Sequence, residues 1–238
     1  MITYQSSDIE KNFLTDNETK GALDVLEWAY SSYKSEDIIY ACSFGIEGIV
    51  LIDLISRVKQ DASIFFLDTN VHFQETYDVI EKVKKRYPTL SIKLVEPKIS
   101  LQEQEKQYGK ELWKSDPNQC CHLRKVVPLQ DILSTKEAWI SGLRREQSPT
   151  RQNTNFVNRD HKFKNIKICP LIHWTWKDIW RYAHRKDLDY NVLHDKGYPS
   201  IGCSHCTVPA IKEDDFRSGR WQGQSKLECG LHEDVSGR

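Results

Sequence analysis

The chain has no apolar run that could cross a bilayer. Its longest uncharged apolar stretches, such as Ile49 to Ile52 and Ile64 to Leu67, fall far below the roughly 20 residues a spanning helix needs. It has no excess of either charge, with 34 Lys+Arg against 34 Asp+Glu, which removes any global electrostatic case for a nucleic-acid or membrane partner. Met1 to Asn12 are polar and lack a basic region followed by an apolar one, so no secretory signal is expected and the chain reads as soluble and cytoplasmic. There is no internal repeat, no low-complexity segment and no clear linker. A Gly-x-x-x-x-Gly-Lys-Ser/Thr motif is also missing, which argues against a P-loop nucleotidase.

What is present suits one substantial core: 238 residues, 39% of them hydrophobic, fit one domain or at most two. Charge is balanced globally but not locally. From Lys114 to Lys186 there are fifteen Lys/Arg against six Asp/Glu, either a solvated basic surface or the lining of an anion site. Seven cysteines, an odd number without a secretory signal, point to metal or redox chemistry rather than a disulfide framework.

Periodicity gives the architecture. Asn17 to Ser32 reads as an amphipathic helix and Asp37 to Phe44 as a buried strand, followed by a helix over Gly45–Gln60 with Ile46, Ile49, Val50, Leu54 and Val58 at helical spacing. Ser63–Thr69, Ser91–Glu96, Ala138–Leu143 and Ile166–Pro170 read as further strands, with helices over Phe73–Tyr87 and Thr175–Arg185. Strands alternating with helices predict a single doubly wound, mostly parallel α/β sheet. The expected core spans about 17–208. From about Pro209 the chain is polar and carries Gly219, Gly223, Gly230 and Gly237, which predicts a flexible tail over 209–238.

The first strand ends in Ser43-Phe44-Gly45-Ile46-Glu47-Gly48 and runs straight into a helix. Such a junction points backbone N–H groups toward the carboxyl edge of the sheet, where phosphate is the usual occupant. The spacing is that of a dinucleotide fingerprint with serine in the first glycine position, and Asp68 ends the second strand. A Rossmann dehydrogenase therefore stays open, as does a purely structural turn.

Two thiol pairs lie far apart in sequence, Cys120-Cys121 and Cys203-Ser204-His205-Cys206. Together they make a soft four-sulfur donor set suited to zinc or an iron–sulfur cluster; alone, the second pair could equally be a thioredoxin-type redox couple. Adjacent cysteines argue against structural zinc, whose paired ligands are typically two to four residues apart. Cys42, within the first strand, and Cys169, at a strand end before Pro170, read as small buried hydrophobes. Cys229, on the glycine-rich tail, reads by itself as an exposed thiol, though a thiol so placed can enter a site and leave again.

Three motifs carry a resemblance over nearly the whole chain. Ser43 to Gly48 resembles the PP-loop of the adenine-nucleotide α-hydrolase-like superfamily. Cys120-Cys121-His122-Leu123-Arg124-Lys125 with the distant Cys203-Ser204-His205-Cys206-Thr207 resembles the cluster signature of adenylyl-sulfate reductases of the iron–sulfur type. Arg217-Ser218-Gly219-Arg220-Trp221 and Glu228-Cys229-Gly230-Leu231-His232 are similar to the closing motifs of sulfonucleotide reductases (the 3′-phosphoadenylyl-sulfate reductase-like family). Three departures stand out: Asn70 where many members have glycine, His205 where proline is common, and Gln222-Gly223 in place of a longer tryptophan run.

The resemblance implies that Cys229 is the nucleophile and that Cys120, Cys121, Cys203 and Cys206 hold one [4Fe-4S] cluster per subunit. It implies that Ser43, Gly45, Asp68, Thr69, Lys125, Arg144, Arg151, Arg217, Arg220 and His232 bind substrate. The implied activity is reduction of adenylyl sulfate to sulfite and AMP, with a separate thioredoxin as donor and a Cys-S-sulfonate on the way. Nothing in the chain resembles a fused thioredoxin domain, and a homo-oligomer is left open. Rival readings are 3′-phosphoadenylyl-sulfate reduction, a PP-loop tRNA sulfur-transfer enzyme and a metal-binding regulator. The balanced charge speaks against the tRNA enzyme, and the Glu228 to His232 motif against the regulator.

Overall fold

The computed structural model describes residues 9–212, 215–224, 226 and 228–232. The apolar segments form a six-stranded sheet of β1 Ile38–Ala41, β2 Ser63–Leu67, β3 Ser91–Val95, β4 Ala138–Ser141, β5 Val157–Asp160 and β6 Asn165–Ile168. Their order is β3-β2-β1-β4-β6-β5, with every pairing parallel except the β5–β6 hairpin. The doubly wound, mostly parallel expectation therefore holds. The antiparallel edge strand β5 was not visible in the sequence, because Val157-Asn-Arg-Asp160 is short and polar. It exists because Val157 and Asp160 register with Ile168 and Asn165.

Helices α1 Ile9–Phe13, α2 Glu18–Ser32, α3 Ile46–Val58 and α4 Gln74–Arg86 alternate with the first strands, and α9 Trp176–Arg185 follows the last. Between β3 and β4 lie α5 Leu101–Tyr108, α6 Leu112–Ser115, α7 Pro117–Cys121 and α8 Val127–Leu133. Side-chain hydrogen bonds set the starts. The Asn17 side chain accepts from Lys20 N–H ahead of α2, and Ser100–Glu103 and Thr175–Asp178 form capping boxes for α5 and α9.

Because side chains alternate along a strand, each central strand supplies both faces of the sheet. Ile38, Tyr40, Ile64, Phe66 and Ile140 pack into one core with Leu26, Val50 and Ile179 from α2, α3 and α9. Phe65 and Trp139 point the other way, against Leu129 and Leu133 of α8 and Phe163. Among the described residues no helix is long and apolar enough to cross a membrane.

Two features position the site. The chain leaves β1 for β2 and β3 on one side, then returns to the other side of β1 as β4. The crevice outside their carboxyl ends is where ligands settle in open α/β sheets. Between α7 and α8, His122–Val126 form a π-helical turn, the irregularity that often marks a functional position in an otherwise regular helix. It carries Arg124 and Lys125.

Candidate active site

A cavity opens at the β1/β4 crevice. Its wall includes Ser43 and Gly45 after β1, Gly142 and Arg144 after β4, Lys125 from the π turn, and Cys229 from the tail. Arg151, Arg217, Arg220 and His232 face the same space. Residues from five distant stretches of sequence thus meet at one point.

The loop after β1 is held by contacts the sequence did not disclose. Phe44 adopts φ 54° and donates its N–H to the Cys42 sulfur at 3.3 Å. Cys42 is thus buried as expected, but its thiol also shapes the turn, and burial pushes that thiol up to about 12, which leaves it unreactive. Gly48 is needed for packing: a Cβ there would lie 2.9 Å from the Cys42 sulfur. The Ile46 N–H, the first of α3, donates to His194 Nε2 at 3.1 Å. His194 Nδ1 lies 2.7 Å from the Tyr198 carbonyl, which makes it the protonated nitrogen.

Arg144 and Arg151 are both among the residues the resemblance implies for substrate, and Arg144 lines the cavity. Its side chain is fully buried and bonds Glu47 Oε1 through Nε and Nη2 at 3.0 and 2.9 Å and Glu146 at 2.6 Å. It lines the cavity as a brace that ties the β4 loop to the first turn of α3. Burial would raise the Glu47 carboxyl, but Arg144 above all, with His194, holds it below the ordinary range.

The other cations are better placed for a ligand. Lys125 is buried, which on its own would drive off its proton; the Cys203, Cys229 and Cys121 sulfurs outweigh burial and raise it above its ordinary value. It stands between the paired cysteines and the tail thiol. Arg217 and Arg220 both lie over the Trp221 ring, 5.5 and 4.6 Å from its centroid, and Arg220 donates to Ser200 Oγ at 3.2 Å. The guanidinium packs directly on Gly202, where a Cβ would fall 2.3 Å from Arg220 Nη2 and displace it.

Beside this cavity lies a second, small and apolar, lined by Cys120, Cys121, Cys203 and Cys206 with Trp113 and His205. The His205 and Trp113 rings stack at 4.2 Å and 11°. Burial and the neighbouring sulfurs push the Cys120 and Cys206 thiols up to about 12 and about 11. Cys203 goes the other way: burial opposes ionisation, but Lys125, the Thr69 hydroxyl at 3.2 Å and Arg220 hold its thiol below the ordinary value. Among the described residues no three His, Cys, Asp or Glu side chains are arranged to hold a single metal ion. The four sulfurs surround a shared space.

Asp68 and Thr69, which the resemblance places among the substrate-binding residues, do not line this cavity. Asp68 Oδ1 accepts from Tyr77 Oη and Asn70 N–H, both at 2.8 Å, and Thr69 turns to Cys203. Asn70 takes φ 59°, the left-handed conformation its substitution for glycine required. Arg124 clamps this loop, donating to the Thr69 carbonyl and to Asn70 Oδ1 at 2.8 Å each.

Cys229 is half-buried, and the tail around it is anchored. Glu228 is buried and paired with Arg151 and Arg217, Lys162 donates to the Gly230 carbonyl at 2.5 Å, and Leu231 packs on the core beneath the sheet. His232 lies parallel to Trp139, 5.9 Å between ring centroids. Burial first, then Arg151, Lys167, Arg217 and Lys125, hold its imidazole well below the ordinary value, so it stands neutral. Glu47 and Glu228 stand inside motifs the sequence displays but had no role assigned to them there; His194 carried no signal at all.

Comparison with known proteins adds relatives to this geometry. A family model described as the phosphoadenosine phosphosulfate reductase domain matches residues 37–209. A protein of Anoxybacillus flavithermus named adenosine 5′-phosphosulfate reductase is 66% identical over 98% of this chain and 100% of its own length. Adenosine 5′-phosphosulfate reductase 1 of Bacillus subtilis is 61% identical over the same shares. Among solved structures, phosphoadenylyl-sulfate reductase of Candida auris in a phosphate complex superposes with a TM-score of 0.68 at 32% identity, covering 79% of this chain and 90% of that one. FMN adenylyltransferase of Candida glabrata with FMN and an ATP analogue gives a TM-score of 0.60 at 15% identity, over 86% and 73%, a likeness of fold alone.

Proposed function

The chain belongs to the phosphoadenosine phosphosulfate reductase domain family, and from that premise we propose that it reduces adenylyl sulfate to sulfite and AMP in sulfate assimilation in the cytoplasm, with thioredoxin as electron donor. The observation that carries this reading is that Cys229 and the Ser43–Gly48 loop face one cavity across Lys125. A nucleotide seated on that loop would present its phosphosulfate to the thiol. Relatives above 60% identity carry the name of the unphosphorylated nucleotide's reductase, which favours adenylyl sulfate over its 3′-phosphorylated form.

In the proposed reaction the α3 N-terminus and Ser43 receive the α-phosphate, and Arg217, Arg220 and Lys125 neutralise the phosphosulfate oxygens, as guanidinium forks suit tetrahedral anions. The Cys229 thiolate attacks sulfur; the S–S bond forms as the sulfur–oxygen bond to phosphate breaks, and AMP leaves with that electron pair. A thioredoxin thiolate then attacks the Cys229 sulfur and expels sulfite. The second thioredoxin thiol resolves the mixed disulfide, so two thiols are oxidised for each sulfur reduced. We read 17–208 as the core and 209–238 as the tail that delivers Cys229.

The donor set of Cys120, Cys121, Cys203 and Cys206 fits a [4Fe-4S] cluster: four sulfurs line one apolar cavity and Lys125 stands against them. Such a group would supply fixed charge beside Lys125. This chain's part is to keep that ammonium charged and aimed at the substrate anion. The reading is tested by sulfite release from adenylyl sulfate with thioredoxin, using protein purified without oxygen. Sulfite in proportion to AMP is expected, and no sulfite from adenylyl sulfate would overturn it.

A further inference from the structure

The residue before the tail cysteine is held by several side chains at once. Glu228 Oε1 accepts from Arg151 Nε at 2.9 Å and from Thr150 Oγ1 at 3.2 Å. Its Oε2 accepts from Arg151 Nη2 at 2.9 Å and from Arg217 Nη2 at 3.2 Å. The Arg151 contact is fork to fork, which fixes orientation as well as position. Burial opposes ionisation of this carboxyl, but Arg151 and Arg217 outweigh it and hold it below the ordinary range.

Successive Cα atoms are about 3.8 Å apart, so pinning Glu228 restricts Cys229 to a small arc. The other side is held too, by Lys162 on the Gly230 carbonyl. Arg151 and Arg217 also line the cavity that Cys229 faces. The carboxylate therefore occupies guanidinium N–H groups that an incoming oxyanion would use.

We propose that Glu228 is the positioning residue for Cys229: its carboxylate, clamped by Arg151 and Arg217, registers the tail over the cavity, and a substrate anion competes with it for Arg217. This rests on the reading of Cys229 as nucleophile. A merely structural ion pair would, when broken, weaken nucleotide binding and chemistry together. A registering anion does something different, because its removal takes away the ligand's competitor at the arginines while releasing the thiol.

The test uses anaerobically purified full-length protein and the variants Glu228→Gln and Glu228→Asp, each checked for wild-type iron content. Three quantities are read: iodoacetamide labelling of the Cys229 peptide without substrate, AMP affinity by calorimetry, and single-turnover AMP release from adenylyl sulfate. In Glu228→Gln, loss of charge-assisted bonds to a buried group should speed Cys229 labelling by about tenfold or more. It should leave AMP affinity equal or higher, and slow AMP release by at least tenfold. Glu228→Asp keeps the charge and should recover part of the rate; should the Gln variant fail to fold, labelling above wild type in the Asp variant carries the test. Unchanged labelling, or AMP affinity falling alongside the rate, would overturn the proposal. Labelling and AMP binding need no turnover, so they judge Glu228 even if the sulfonate forms elsewhere. Wild-type sulfonation of Cys229 in Glu228→Gln would overturn Glu228's role and leave Cys229 the nucleophile.

Discussion

The Ile46 amide and the His194 imidazole, 148 residues apart in sequence, meet at 3.1 Å, so a side chain from the far end of the fold accepts the first free N–H of α3. Only neutral His194 can accept there, and its pKa is lowered, chiefly by burial.

His194→Ala removes this acceptor and should cost about 0.5–2 kcal/mol of stability, the range for a lost helix cap, and weaken AMP binding because the loop it holds carries Ser43. Since the folded value lies below the unfolded one of about 6.5, the unfolded chain takes up more protons, and stability falls as pH drops through that value. The stability gap between wild type and His194→Ala, from thermal melts between pH 5 and 8, should be full above pH 6.5 and shrink below it.

Cys120, Cys121, Cys203 and Cys206 share one cavity. If they hold a [4Fe-4S] group, anaerobic protein should contain about four irons and four sulfides per chain. Serine at any one of the four should remove them, while Cys42→Ser and Cys169→Ser should keep them. Iron and sulfide analysis decides this, and stoichiometric zinc without sulfide would contradict it.

Among the described residues Arg220 contacts Ser200 and Trp221 and no carboxylate that would compete for a ligand. Arg220→Ala should weaken adenylyl-sulfate binding by about 1.5–3 kcal/mol, the range for a charge-assisted bond. AMP, which lacks the sulfate, should lose less. Equal losses for both would assign Arg220 to loop packing instead.

Competition between the two sulfonucleotides measures specificity. kcat/KM should be higher for adenylyl sulfate than for its 3′-phosphorylated form, and the reverse order would transfer the assignment to the second substrate.

The sheet was legible in the sequence because its central strands alternate with amphipathic helices whose spacing is unambiguous. The expected helix over Asn17–Ser32 is observed as Glu18–Ser32, and that over Thr175–Arg185 as Trp176–Arg185. The hairpin strand Val157–Asp160 was not, because its stability comes from β6 and not from its own polar residues. The π turn at His122–Val126 was equally hidden, since no periodicity marks a single widened turn. At the site, the loop and the thiol pairs could be read because their chemistry is local in sequence. Asp68, Thr69, His194 and Glu47 take their contacts from partners brought by the fold, and the pairing of Arg144 with Glu47 could not be read from either residue's own neighbours in sequence.

In the proposed reaction Cys229 attacks the sulfur of adenylyl sulfate. Reduced, anaerobic enzyme mixed with adenylyl sulfate and no thioredoxin should release AMP once per chain and no sulfite, because the second thiol is absent. Mass spectrometry should find the added sulfonate on the peptide holding Cys229, and thioredoxin should then discharge it as sulfite. A sulfonate on Cys203 or Cys206, or continued turnover by Cys229→Ser, would contradict the account.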